Sequence, residues 1–116
     1  MNTPELLPRT AFSILLALSL KPRHGYELMQ QVEHDTAGRI KLGPGALYGT
    51  IKQLVDTHLI EEMPFEGAER RRYYRLTKRG WDRLGAEMQY YEQTVRLGRE
   101  RQVSLGDKGA FAWTHS

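Results

Sequence analysis

Gly43-Pro44-Gly45-Ala46-Leu47-Tyr48-Gly49-Thr50-Ile51-Lys52-Gln53-Leu54 is the stretch on which the fold turns. Proline is favoured at the first position of a helix, where its missing amide hydrogen costs nothing, and a preceding glycine serves as the cap. A helix is therefore expected to start at Pro44. On it Leu47, Ile51, Leu54, Val55 and His58 fall on one apolar face, while Gly45, Ala46, Gly49, Lys52 and Gln53 project the other way. Tyr48 sits at the edge, where its ring can pack inward and its hydroxyl can meet a phosphate. A glycine inside a helix costs about 1 kcal/mol relative to alanine, so Gly49 needs a reason. Close helix packing is one reason. The other is an outer face that must approach base edges with hydrogen-bonding residues beside it.

Working upstream, Thr10 to Leu20 reads as an apolar helix with Phe12, Leu15, Leu16 and Ser19 at helical spacings, ended by Lys21-Pro22. A second helix is expected from about His24-Gly25-Tyr26-Glu27 to Thr36, with Leu28, Met29 and Val32 as its apolar stripe and Gly38 as its stop. His24 and Glu27 at its start fit a capping role. Met1 to Pro8 holds two prolines and reads as an arm.

Downstream, Leu59 to Phe65 and Arg72 to Thr77 are short β-prone stretches, joined by a Glu66-Gly67-Ala68-Glu69 hairpin tip. The run Arg70-Arg71-Arg72-Tyr73-Tyr74-Arg75-Leu76-Thr77-Lys78-Arg79 places six cations in ten positions. Alone, such a run is a solvated face. As the outgoing strand of a hairpin it sends Arg71, Tyr73 and Arg75 to one side and Arg72, Tyr74 and Leu76 to the other. One side then packs, and the other, with Arg70 near the tip, faces phosphates.

Thr77 is placed to cap a last helix running to about Val103, with a polar, glycine-containing tail beyond it that reads as disordered apart from Phe111 and Trp113. Trp81, Leu84, Met88, Tyr91 and Val95 recur at spacings of 3, 4, 3 and 4, a heptad seam. Trp81 and Leu84 can also pack along their own domain, but little chain remains to cover the seam past Met88, so a second copy is the simplest cover and a homodimer is expected, with Leu84, Met88, Tyr91 and Val95 at the interface.

The order helix, helix, helix, strand, loop, strand, helix is that of a winged helix-turn-helix, whose third helix enters the major groove of DNA. The expected organisation is a flexible arm at 1–9, a winged helix-turn-helix at 10–78, a dimerisation helix at 79–103 and a tail at 104–116. The fold class is mainly α with a small β-hairpin. Contacts with double-stranded DNA are expected at Tyr26, Lys41, Gly45, Ala46, Tyr48, Gly49, Thr50, Lys52, Gln53, Arg70, Arg71 and Arg72.

Composition narrows the alternatives. At 116 residues the chain has room for one domain and an extra element. With 40% hydrophobic and 27% charged residues it is an ordinary globular chain, and its net charge of +3 is modest. It has no cysteine, so disulfides and thiolate metal sites are excluded. The four histidines are scattered, and no metal and no cofactor are expected. No basic-then-apolar leader opens the chain, and its longest apolar run is about half of the roughly 20 residues that span a bilayer, so a cytoplasmic protein away from membranes is expected. A Gly-x-Ser-x-Gly elbow and a phosphate-cradling glycine loop are lacking, which argues against an enzyme. The surviving alternative is a winged helix used as a protein-interaction module without DNA. A basic wing speaks against it, because interface cores are depleted in charge.

Several of these segments carry a resemblance. Ile14-Leu15-Leu16-Ala17-Leu18, His24-Gly25-Tyr26-Glu27-Leu28, Leu42 to Leu54, Leu59-Ile60-Glu61-Glu62 and Arg70 to Gly80 stand in the order and spacing of the PadR family of transcriptional regulators. The chain resembles the shorter branch of that family, with a single C-terminal dimerisation helix. The likeness spans Pro8 to Leu97. It implies a dimeric repressor at a palindromic promoter site, often released by a small hydrophobic or aromatic effector. Trp81, Met88 and Tyr91 are the residues here placed to line an effector cavity, or else are plain dimer core. The chain departs from the family at Gly49, where proline is common, at Gln53, where arginine is frequent, and at His58, where glycine is usual. The first two lie on the expected reading face, so the operator sequence does not carry over. His58 is expected to tolerate a left-handed cap position with little strain.

Overall fold

The computed structural model describes residues 5–64 and 71–106. Within them the order is α1 (Arg9–Leu18), β1 (Arg23–His24), α2 (Gly25–Asp35), α3 (Pro44–Asp56), β2 (Ile60–Glu62), β3 (Tyr73–Leu76) and α4 (Lys78–Glu100). It is a winged helix-turn-helix followed by a long helix, as expected. The hairpin is part of something larger. A third strand, β1, joins on the far side, giving an antiparallel sheet in the order β1-β3-β2. The strands are also shorter than the β-prone stretches that contain them. The Glu66 to Glu69 tip and Arg70 lie outside the described residues.

The helix ends follow from local chemistry. Gly43 and Pro44 start α3 as cap and first residue. His24 and Glu27 form a reciprocal capping box at α2: the ring Nδ1 accepts from the Glu27 amide, and the Glu27 carboxylate accepts from the His24 amide. Thr77 caps α4 by accepting from the Gly80 amide at 2.9 Å. The reversal after α3 places His58 at φ 63, with the Leu59 amide donating back to the Leu54 carbonyl and the His58 amide to that of Val55. His58 is thus exposed at a left-handed cap, and its expected place on the apolar face with Leu47 and Ile51 is corrected: the helix has ended before it. At the end of α2, Ala37 as well as Gly38 takes positive φ.

The core is built around α1. Ile14, Leu15, Leu28, Val32, Leu47 and Ile60 are fully enclosed, each contributing roughly 1.5–3 kcal/mol by leaving water. The buried face of α1 is Ala11, Ile14, Leu15, Ala17 and Leu18, so Phe12, Leu16 and Ser19 form its half-buried flank. Arg23 is itself buried, and its Nε donates to the Ala17 carbonyl near the end of α1. Tyr74 and Leu76 of β3 and Leu84 of α4 close the core from the other side.

The end of the N-terminal arm is tied down. The Leu7 amide donates to the Glu87 carboxylate at 3.1 Å, whose other oxygen accepts from Arg83 Nε at 3.1 Å. Arg83 also reaches the Glu5 carbonyl. Glu87 is only 3% exposed, a buried charge made acceptable by these partners. Of the arm at 1–9, Glu5 and Leu7 are thus bonded to α4.

Candidate nucleic-acid interface

The outer side of α3 is bare. Gly45, Ala46 and Gly49 are exposed, and a Cβ built on Gly43, Gly45 or Gly49 would meet nothing within 4 Å. None of the described neighbours demands glycine at these positions. Around them stand the groups expected beside a groove. Lys52 and Gln53 are exposed on the same helix, and Tyr48, 51% exposed, lies at its edge. Thr50 is half-buried and donates its hydroxyl proton to the Ala46 carbonyl at 2.8 Å, so that proton serves the helix. Lys41 is exposed on the segment leading into α3.

The start of α2 and the wing meet α3 in one cleft of about 490 Å³, lined by Gly25, Tyr26, Tyr48, Arg71, Arg72 and Tyr74. Tyr26 is 61% exposed on α2. Gly25 is buried under Tyr48, whose hydroxyl a Cβ at position 25 would overlap. The Arg71 guanidinium lies 3.2 Å from His24 Nε2, and the His24 ring stands edge-on to Tyr73 at 5.3 Å. Burial and the charge of Glu62 push the Tyr74 phenol above its usual range, while Arg72 pulls it the other way. Of the expected DNA-contacting residues within the described part, Tyr26, Tyr48, Arg71 and Arg72 meet in this cleft, while Gly45, Ala46, Gly49, Lys52 and Gln53 are exposed on α3 and Lys41 on the loop before it.

Not all the basic residues are bare charge. Arg75 Nε donates to Glu61 at 2.8 Å across directly paired β-strand positions, and Arg72 Nε lies 3.7 Å from Glu62. Lys52 Nζ donates to Asp56 at 2.8 Å, and that bond and charge hold its ammonium above the usual lysine range. The sequence alone does not pair these carboxylates with their cations. For Asp56 the signal was present, a lysine and an aspartate four apart on a helix. For Glu61 and Glu62 it lay in the strand register.

The seam on α4 divides. Leu84 is 5% exposed and belongs to the core of its own chain, which corrects its expected place at a dimer interface. Tyr91 is half-buried, its ring 5.2 Å from that of Phe12. Met88 and Val95 remain exposed, at 47% and 40%, beside a shallow open trough that Gly85, Tyr91, Glu92 and Arg99 also line. Of the three residues expected at an effector cavity, Met88 and Tyr91 border this trough. Trp81, 51% exposed, is not part of its lining. Among the described residues no His, Asp and Glu gather as a metal site, and no helix is long and apolar enough to cross a membrane.

Known proteins share this architecture. A PadR family transcription regulator from Clostridium difficile has a similar fold, with a TM-score of 0.70 and 23% identity over 82% of this chain and 99% of that one. A transcriptional regulator from Clostridium thermocellum is similar at a TM-score of 0.65 and 23% identity, covering 78% of this chain and 89% of that one. At such identities the likeness is one of fold. In sequence, an uncharacterised 37.1 kDa protein in a transposon of Streptomyces fradiae is 36% identical over 98 residues, 84% of this chain. The chain spans only 27% of that relative's length. The model of the PadR-like family of transcriptional regulators matches residues 14–86, from α1 through the sheet into α4. The chain therefore belongs to the PadR-like family of transcriptional regulators.

Proposed function

We propose that the chain binds double-stranded DNA as a homodimer in the cytoplasm, laying α3 in the major groove, and acts as a repressor at a palindromic promoter site. The observation that carries this reading is the bare face of α3: Gly45 and Gly49 open outward with none of the described residues above them, beside Tyr48, Lys52 and Gln53. Gly49 costs helix stability, and neither glycine fills a packing need among the described residues, so the demand for smallness comes from an outside surface. A groove floor lined by donors and acceptors fits that demand, and the cleft with Tyr26, Arg71 and Arg72 supplies phosphate partners beside it.

Family membership supports the regulatory role, and the exposed Met88 and Val95 support pairing through α4. In a two-fold dimer the half-site centres lie about 10 base pairs, or a multiple of that, apart. Release by a small hydrophobic or aromatic effector belongs to the same proposal, its site being the α4 trough once a second protomer closes it.

The test uses the duplex that wild-type protein enriches from a random-sequence library. Gly49→Leu blocks approach by bulk while position 49 faces away from Leu47, Ile51 and Leu54, so circular dichroism should stay native and binding should fall at least tenfold. Gln53→Ala should cost roughly 1–3 kcal/mol at one base position only. Normal binding by a natively folded Gly49→Leu would remove α3 from the groove. A wild-type protein that bound no duplex at low salt would leave the protein-interaction module as the reading.

A further inference from the structure

Two of the cations beside the bare face of α3 are each already held by a carboxylate. Lys52 donates to Asp56 at 2.8 Å one turn further along α3, and Arg72 lies 3.7 Å from Glu62 on the neighbouring strand. All four side chains are at least half exposed, 76% and 59% for the first pair and 75% and 50% for the second. The carboxylates therefore sit where DNA phosphates would arrive. A phosphate reaching Lys52 or Arg72 must compete with an anion that is covalently part of the chain and cannot diffuse away.

We infer, on the reading that this face binds DNA, that Asp56 and Glu62 are intramolecular competitors of the phosphate backbone and set how tightly the interface holds DNA.

Three physical consequences follow from this arrangement. Each pair presents no net charge to an approaching duplex, so the face is less cationic than its lysine and arginine count. Each carboxylate competes with a phosphate for its cation, and exposed pairs of this kind are worth a factor of roughly 1.5 to 5 in an equilibrium constant. Once open, the freed carboxylate stands near a phosphate and gathers a counterion of its own. Binding then releases fewer ions than bare cations would, and the salt dependence is shallower. A regulator that must leave its site when conditions change gains from an interface held below its greatest affinity.

Removing the carboxylates tests this. Asp56→Asn, Glu62→Gln and the double variant are titrated by fluorescence anisotropy against a random-sequence duplex over a salt series. Glu100→Gln, an exposed charge at the far end of α4, controls for the change in overall charge. Each interface variant should tighten binding by about two- to fivefold. The slope of log affinity against log salt should steepen by up to about 0.9 for each cation freed, and the double variant should show the product of the two gains. Glu100→Gln should leave the slope unchanged. Thermal melts confirm that all four variants are folded. If the wild type binds the duplex but Asp56→Asn and Glu62→Gln leave affinity and slope unchanged, or weaken binding, the inference is wrong. The same holds if Glu100→Gln matches their gain. A wild type that binds no duplex at low salt would instead defeat the DNA-binding reading itself.

Discussion

Gly25 lies directly beneath Tyr48, so close that a Cβ placed on it would overlap the phenol oxygen and stand 2.9 Å from the ring carbon that bears it. This contact joins the first residue of α2 to α3. It fixes the height at which the Tyr48 hydroxyl leaves the protein surface.

Gly25→Ala should therefore separate folding from binding. Tyr48 is half in solvent, so its ring swings aside rather than forcing the core, and the cost in stability should be no more than about 1 kcal/mol. The hydroxyl then no longer reaches the phosphate it would meet. A hydrogen bond to a charged group is worth roughly 1.5–3 kcal/mol, so DNA affinity should fall about tenfold or more. Tyr48→Phe should show the same drop with an unchanged melting temperature. Full affinity in both variants would mean that Tyr48 makes no phosphate contact.

Gly80 offers the opposite case. A Cβ there would run into the Leu59 backbone carbonyl, at the point where α4 is pinned to the start of β2 by Thr77. Backbone cannot swing aside as a half-exposed ring does. Gly80→Ala should destabilise the fold by roughly 1–3 kcal/mol or more. At roughly 4–8 °C per kcal/mol for a domain of about this size, the melting temperature should drop clearly. A melt within a degree of wild type would show that α4 can shift outward at no cost.

Arg71 tests the wing. It lies against His24, and among the three arginines expected there it is one of two whose positions are described, Arg70 lying outside. Arg71→Ala should weaken specific and random duplexes by similar factors, because phosphate contacts position rather than specify. The salt slope should become shallower by about 0.9 for a single phosphate that is no longer neutralised. A selective weakening on the enriched duplex would make Arg71 a base reader instead.

What could be read from the sequence was what local chemistry decides. Gly43-Pro44, the His24–Glu27 box, the Thr77 cap and the left-handed His58 each depend on a few neighbouring residues. So does the outward set on α3, because helical periodicity alone separates it from Leu47 and Ile51. β1 escaped because two residues carry no period, and only the register with Tyr73 and Tyr74 makes them a strand. Glu87 escaped because a carboxylate reads as a solvent position, although it falls three residues after Leu84 and is answered by Arg83. The heptad seam named the right helix but not which flank of it the chain keeps for itself.

That division within the seam yields the last prediction. Leu84 and Met88 are four apart on one seam of α4, yet Leu84 is sealed in the core of its own chain and Met88 is 47% exposed. Beyond Tyr91, none of the described residues of α4 is buried. If a second protomer covers Met88 and Val95, the two substitutions should part ways. Leu84→Ala leaves a cavity in the monomer core and should cost roughly 2–5 kcal/mol, while sedimentation still gives a dimer wherever the protein is folded. Met88→Glu should leave each protomer folded, because the new carboxylate faces water in a monomer. In a dimer it would be buried without a partner, so sedimentation should give a monomer. Affinity for a palindromic duplex should then fall sharply, since two linked half-sites become two separate binding events. A Met88→Glu protein that stays dimeric would move the interface to another face of α4, where Tyr90 and Leu97 are the exposed apolar residues.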